Sequence, residues 1–220
     1  TGIILQGATD VVVSGNLFSG LSGRAIEVDA KSRRILATGN IVTAGSLLSI
    51  QLGAGVQGRT QLEAVCAVRP IRAAFVFDPD RSRAAAFAGE TTGQLGIAVA
   101  VAESAADAVR QSDVICTATT ARTPVFADAD LKPGVHINGV GSYHPAIQEI
   151  PSDTVVRARV VVDHRESALA EAGDLLVPIR QGRYGADRIA AELGEIVSGA
   201  KPGRADDSGV CLVRQAPIGR

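Results

Sequence analysis

The sequence predicts an α/β fold, a doubly wound and mostly parallel sheet flanked by helices. Three observations predict it. Apolar residues make up 46% of the 220 and rest on Ala, Val, Ile and Leu, with 3% aromatics, no Trp or Met, and 24 glycines. Small side chains of this kind suit helices packed closely on a sheet. From Leu47 onward, short apolar runs of strand length alternate with runs whose apolar residues recur at helical spacing. That alternation implies right-handed crossovers, which leave the strands parallel.

Residues 1–46 are rich in Gly, Ser and Val, with short strand candidates at 10–14, 25–28 and 34–37 and no long helical pattern. No internal repeat is read in the chain. Residues 47–52 are mostly apolar and end at Gly53, after which 57–68 sets Leu62, Val65 and Cys66 at helical spacing. A second strand, 73–77, ends at Asp78 and is followed by an alanine-rich helix over 82–88. A third strand at 96–101, a helix at 103–110 with Ala105, Ala106 and Val109 on one face, and a fourth strand at 113–117 continue the pattern. Residues 135–140 and 159–162 read as two further strands, and Ile189, Leu193, Ile196 and Val197 as the inner stripe of a last helix. The tail, 201–220, carries Pro202, Gly203, Pro217 and Gly219 with little periodicity and reads as loop or a displaced edge.

Charge and cysteine usage bound the function. Twenty-two basic against 23 acidic residues leave a net charge of -1, which gives no general field for nucleic acid or an anionic membrane. Cys66, Cys116 and Cys211 are odd in number and form no CxxC pair, so neither a disulfide framework nor a structural zinc site is expected. The histidines form no metal-ligand cluster with Cys or carboxylates, and no metal is expected. The longest apolar stretches, such as 95–102, fall well short of the roughly 18 residues of a membrane span, and no secretory leader is read. The expectation is a soluble, cytoplasmic protein whose partner is a small molecule.

Gly53-Ala54-Gly55-Val56-Gln57-Gly58 is GxGxxG between a predicted strand and a predicted helix. Gly53 permits the tight turn, Gly55 lets a pyrophosphate approach the backbone, and Gly58 lets helix and strand pack closely. The free amides of the helix N-terminus would hold the phosphates. Asp78 lies 20 residues after Gly58 at the end of the second strand, where a carboxylate can accept both ribose hydroxyls. The reading is a Rossmann-type nucleotide site. A carboxylate at Asp78 would repel the 2'-phosphate of NADP, whereas Arg81 and Arg83 would attract it, so NAD is favoured and NADP stays open.

From Gly53 onward the chain resembles the ornithine cyclodeaminase and mu-crystallin family. The resemblance rests on GAGVQGRTQLEAV (53–65), FDPDRSRAAAFA (77–88), SDVICTATTARTP (112–124), LKPGVHINGVGSYHP (131–145), VVVDHRESALAEAGDL (160–175) and LGEIVSGAKPGR (193–204). It implies an NAD(P)-dependent enzyme that transfers hydride at the carbon next to nitrogen in an amino or imino acid, in a homodimer whose subunit has two domains. It divides the chain into a reduced N-terminal substrate and dimerisation domain (1–46), the NAD(P)-binding Rossmann domain (47–200) and a C-terminal return segment (201–220). By position it assigns Ala54, Gly55, Val56, Gln57 and Gly58 to the pyrophosphate, Asp78 to the ribose, Thr119 to the cofactor at the fourth strand, and Ile137, Asn138, Gly139, Val140 and Gly141 to the nicotinamide side.

One departure bears on the chemistry. Where ornithine cyclodeaminases carry an aspartate two residues before the proline, this chain has Tyr143 ahead of His144 and Pro145. Cyclodeamination needs repeated proton transfers, and imine reduction fewer. Reduction of a ketimine or cyclic imino acid, or the reverse oxidation, is therefore favoured, with Tyr143 or His144 as proton donor. Conversion of ornithine to proline and ammonia, and a non-catalytic NAD-binding module, are the alternatives. The acidic stretch Asp163, Glu166, Glu171 and Asp174 is read as a solvated or capping turn and helix, and Cys116 as a buried packing thiol.

Overall fold

The structure, a computed structural model, describes residues 47–204 and 208–215 together with the backbone of six short strands within the first 46 residues. Those six strands pair two by two, all in parallel. β1 (Ile3–Leu5) lies beside β4 (Ile26–Val28), β2 (Val12–Ser14) beside β5 (Leu36–Thr38), and β3 (Leu17–Ser19) beside β6 (Ile41–Thr43). Ile3 faces Ile26, Val12 faces Leu36 and Leu17 faces Ile41, offsets of 23, 24 and 24 residues. A near-constant offset shared by three successive parallel pairs marks a repeat of about 24 residues. It corrects the expectation that the chain holds no repeat. The sequence does carry one, in Ser14-Gly15-Asn16-Leu17 against Thr38-Gly39-Asn40-Ile41.

The rest is built on one sheet of eight parallel strands. Its first half is β7 (Leu47–Leu52), α1 (Val56–Val68), β8 (Ile71–Phe77), α2 (Arg81–Leu95), β9 (Ala98–Val101), α3 (Ala105–Gln111) and β10 (Val114–Thr117). The second half is β11 (His136–Gly139), α4 (Ser152–Arg157), β12 (Arg159–Val162), α5 (Arg165–Glu171), α6 (Gly173–Arg180), β13 (Ala191–Glu192), α7 (Leu193–Val197) and β14 (Cys211–Arg214). Across the sheet the order is β13-β12-β14-β11-β10-β7-β8-β9. The chain therefore moves outward from β7 through β8 to β9, returns, and continues from β10 on the other side of β7. That reversal opens a crevice beyond the carboxyl ends of β7 and β10, the place where open parallel sheets bind ligands.

Strand alternation sets the two faces. Ile50 and Leu52 of β7, Ile115 of β10, Ile137 of β11, Val160 and Val162 of β12 and Leu212 of β14 share one buried cluster with Ala108, Val109, Val155 and Leu175 from the helices. On the other face Leu62 of α1 and Phe87 of α2 pack on Ala74 and Val76 of β8. At this central position the sheet is covered on both sides, as an all-parallel sheet must be. The helix α2 runs seven residues past its expected end because only at Gly96, with φ 66, does a left-handed residue stop it; at its start Asp80 accepts from the Ser82 and Arg83 amides.

Three sequence expectations change. The stripe Ile189, Leu193, Ile196 and Val197 is not one helix. Ile189 joins the cluster on one face of the sheet, the next residues form edge strand β13 on β12, and Leu193 and Ile196 pack on the opposite face against Val161, Cys211 and Val213, leaving Val197 exposed. The tail is not a displaced edge, because β14 lies between β12 and β11, hydrogen-bonded to both and fully buried. Four residues are enough for a strand but too few to show a period. Asp174 is not solvated, being buried in α6. Among the described residues no helix is long and apolar enough to cross a membrane.

Candidate functional site

The turn after β7 enters the crevice through Gly53, whose amide donates to the Phe77 carbonyl at 2.9 Å and whose φ of 101° is open to glycine at little cost. A β-carbon there would also strike the Ala118 carbonyl. Gly58 packs so close to the turn that a β-carbon would meet the Gly53 carbonyl oxygen, whereas around Gly55 nothing lies within 4 Å of the same position. Gly55 is the N-cap of α1 and supplies no side chain to its first turn. No side chain caps that turn, and Gly55, Val56 and Gln57 line open space, a feature suited to an anion.

Asp78 closes the turn from the neighbouring strand. Its Oδ2 accepts the Ala54 amide at 3.0 Å and its Oδ1 the Asp80 amide at 2.9 Å, while Arg83 stands 3.9 Å from it. Together with Gly53, Gly55, Phe77, Thr119 and Val125 it lines a cavity of about 510 Å³. A second cavity of about 250 Å³ is lined by Gly55, Val56, Gln57, Thr119, Val140, Gly141 and Tyr143. The two share Gly55, Ala118, Thr119 and Thr120, so they are the halves of one groove over the ends of β8, β7, β10 and β11. Two of the exposed apolar side chains, Val56 at 82% and Tyr143 at 38%, stand at its second half.

Not every expected residue reaches this groove. Ile137 is buried in the core beneath it, and Gly139 is covered by Ile150 and Arg214. Asn138 points to the other face, where it shares a separate cavity of about 530 Å³ with His136 and reaches Cys116 Sγ at 3.7 Å. Alternation along β11 makes this necessary, since neighbouring side chains leave a strand on opposite sides. His144 is exposed, lines neither half of the groove, and accepts the Ala146 amide on its Nδ1 at 3.2 Å. Tyr143 alone of the two proton-donor candidates faces the groove. Cys116 is fully buried, and burial pushes its thiol up to about 11.

Three charged residues lie directly beneath: Glu149 and Arg214, which the sequence did not mark, and Asp174, expected from the sequence to be solvated or capping. Glu149 is fully buried and accepts the Thr119 amide at 2.6 Å, the Thr119 hydroxyl at 2.5 Å and the Gly141 amide at 2.7 Å. Burial raises its pKa, opposed by these donors. Asp174 accepts the Glu149 and Ile150 amides at 2.7 and 2.9 Å, and burial pushes its pKa up to about 7. Arg214, also buried, donates to the Gly139 and Ser142 carbonyls and stands 3.9 Å from Asp174. Single acidic or basic residues inside apolar segments, Glu149 in IQEI and Arg214 in CLVR, were the available signal, since such groups are seldom buried without partners.

Comparison with known proteins agrees with this geometry. The model of the ornithine cyclodeaminase/mu-crystallin family matches residues 12–215. The chain is 42% identical over 168 residues to a Delta(1)-pyrroline-2-carboxylate reductase of Bacillus cereus, covering 76% of this chain and 51% of the relative. It is 35% identical over 197 residues to the ketimine reductase mu-crystallin of Rattus norvegicus, covering 90% and 57%. A solved structure of the Delta(1)-pyrroline-2-carboxylate reductase of Thermococcus litoralis, in complex with NADH and L-proline, superposes with a TM-score of 0.76 at 42% identity, covering 78% of this chain and 53% of that one. The chain thus spans about half the length of the relatives it matches.

Proposed function

The chain belongs to the ornithine cyclodeaminase/mu-crystallin family, and from that premise we propose that it binds NAD(H) in the groove and reduces a ketimine or cyclic imino acid. The observation that carries the cofactor reading is the glycine turn itself. The first turn of a 13-residue helix has no side-chain cap and opens at Gly55 onto the groove, with the Asp78 carboxylate one strand away. This is a donor set for a pyrophosphate beside an acceptor for ribose hydroxyls. Arg83 stands 3.9 Å from both Asp78 and Asp80, so its charge is engaged by carboxylates, which supports NAD over NADP.

The larger half of the groove, next to Asp78, would take the adenosine and the smaller half, between Val140, Gly141 and Tyr143, the nicotinamide. When bound, the reduced nicotinamide supplies hydride to the imine carbon. Tyr143 would supply the proton that the imine nitrogen gains, from a hydroxyl at the rim of that half. The Tyr143 amide bonds to the Gly141 carbonyl at 2.9 Å, which ties its backbone to the nicotinamide-side turn. Every described residue lining the groove comes from Leu52 onward.

Titration of the chain with NADH, followed by its oxidation in the presence of pyrroline-2-carboxylate, tests the proposal. Binding with imine-dependent oxidation is the expected result. Ammonia and proline released from ornithine would instead favour cyclodeamination, and binding without turnover on either substrate a cofactor-binding module. Absence of NADH binding by folded protein would overturn the reading.

A further inference from the structure

We infer that Glu149 is a positioning residue that sets the nicotinamide side of the groove by joining the turns after β10 and β11 through one carboxylate; the inference rests on the NAD reading above. β10 and β11 are parallel neighbours ending in register at Thr117 and Gly139; the Val140 amide still donates to the Thr117 carbonyl at 2.9 Å, and among the described residues no backbone hydrogen bond joins the two turns beyond it. The Glu149 side chain joins them, with Oε1 on the Thr119 amide and hydroxyl and Oε2 on the Gly141 amide. All three partners donate, and an ionised carboxylate, which has acceptors alone, answers each of them best. The fit is close enough that a β-carbon on Gly141 would strike both carboxylate oxygens.

Glu149 is itself held in place. Its amide donates to Asp174 at 2.7 Å and its carbonyl accepts the Val125 amide at 2.9 Å. The charged groups near its carboxylate are Asp174 and Arg214, and these two fasten the loop after β11 rather than the turn after β10. Glu149 therefore has a task distinct from theirs. It also redefines Thr119: the hydroxyl donates its proton to Glu149 and accepts the Ala121 amide at 3.0 Å, leaving no hydroxyl proton for a cofactor. Thr119 shapes the groove by its placement.

The test compares NADH with ADP-ribose, which keeps the adenosine, the pyrophosphate and both riboses and lacks only the nicotinamide ring on the side of Val140 and Gly141. In Glu149→Gln the amide NH2 must face one of the two backbone N–H groups, removing a charge-assisted bond. NADH affinity is expected to fall about tenfold, with KM for NADH rising more than kcat falls, while ADP-ribose affinity changes less than about threefold. A general loss of structure would weaken both ligands together. Equal loss for NADH and ADP-ribose, or no loss for either, would overturn the role of Glu149. Should Glu149→Gln fail to fold, Glu149→Asp keeps the charge on a shorter reach, and the same selective loss is required of it. If wild-type chain binds neither ligand, the NAD reading itself fails, an outcome separate from equal loss in the variant.

Discussion

At Gly55 and Asp78 single side chains separate binding from folding. Space around a β-carbon at Gly55 is open, and its φ of -87° with ψ of -177° suits a β-branched residue. Gly55→Val should therefore leave the melting temperature almost unchanged and weaken NADH by about tenfold or more, since the isopropyl group fills space the pyrophosphate needs; calorimetry on folded variant measures it, and a normal NADH affinity would reject the assignment. Asp78→Ala removes an acceptor for the ribose as well as the one that holds the Ala54 amide. NADH and ADP-ribose should lose affinity together, by about 1.5–3 kcal/mol, the opposite of the selective loss expected at Glu149. These two residues were legible in the sequence because glycine spacing and the carboxylate twenty positions on are local features of one strand-turn-helix-strand unit. Glu149 was not, because it lies 30 residues from Thr119 and owes its role to two partners that only the fold brings together.

At the level of elements, α1 and β7 meet through Gly58, and the closeness of that contact is a matter of stability. A β-carbon at Gly58 would meet the Gly53 carbonyl oxygen, and backbone cannot turn aside as a flexible side chain can. Gly58→Ala should cost about 1–3 kcal/mol, read as a lower midpoint in denaturant with or without ligand. Most elements from β7 to β12 follow from the sequence because each apolar run is long enough to show its period. Others escaped for physical reasons. The short helices α4 and α6 give only one or two turns of pattern, β14 has four residues, and the stripe from Ile189 to Val197 straddles the sheet, so its apolar residues serve two cores. The six strands before β7 have three residues each, and their repeat becomes plain when the pairing offset is seen.

For the molecule as a whole, the buried charges beneath the groove couple pH to stability. Asp174 has a folded pKa of about 7 against an ordinary 3.8, raised chiefly by burial. The folded chain thus keeps that proton to higher pH than the unfolded chain, and Asp174 contributes most favourably below pH 3.8, losing that contribution as pH rises toward about 7. The stability of wild-type relative to Asp174→Asn should accordingly decline across that interval, measured by denaturant titrations at a series of pH values; a difference that grows with pH would contradict the buried setting of this group.

The sequence by itself determined the alternation of strands and helices from Leu47, the glycine turn and its acidic partner, and the family, because each of these is written in short-range spacing or in runs of contiguous residues. The tertiary structure decided the rest. It set the strand order that opens the crevice between β7 and β10, placed β14 inside the sheet, turned Ile137 and Asn138 away from the groove, and assembled Glu149, Asp174 and Arg214 beneath it. Those outcomes depend on which distant segments share the interior, where an ionised group persists only with partners that arrive from other elements.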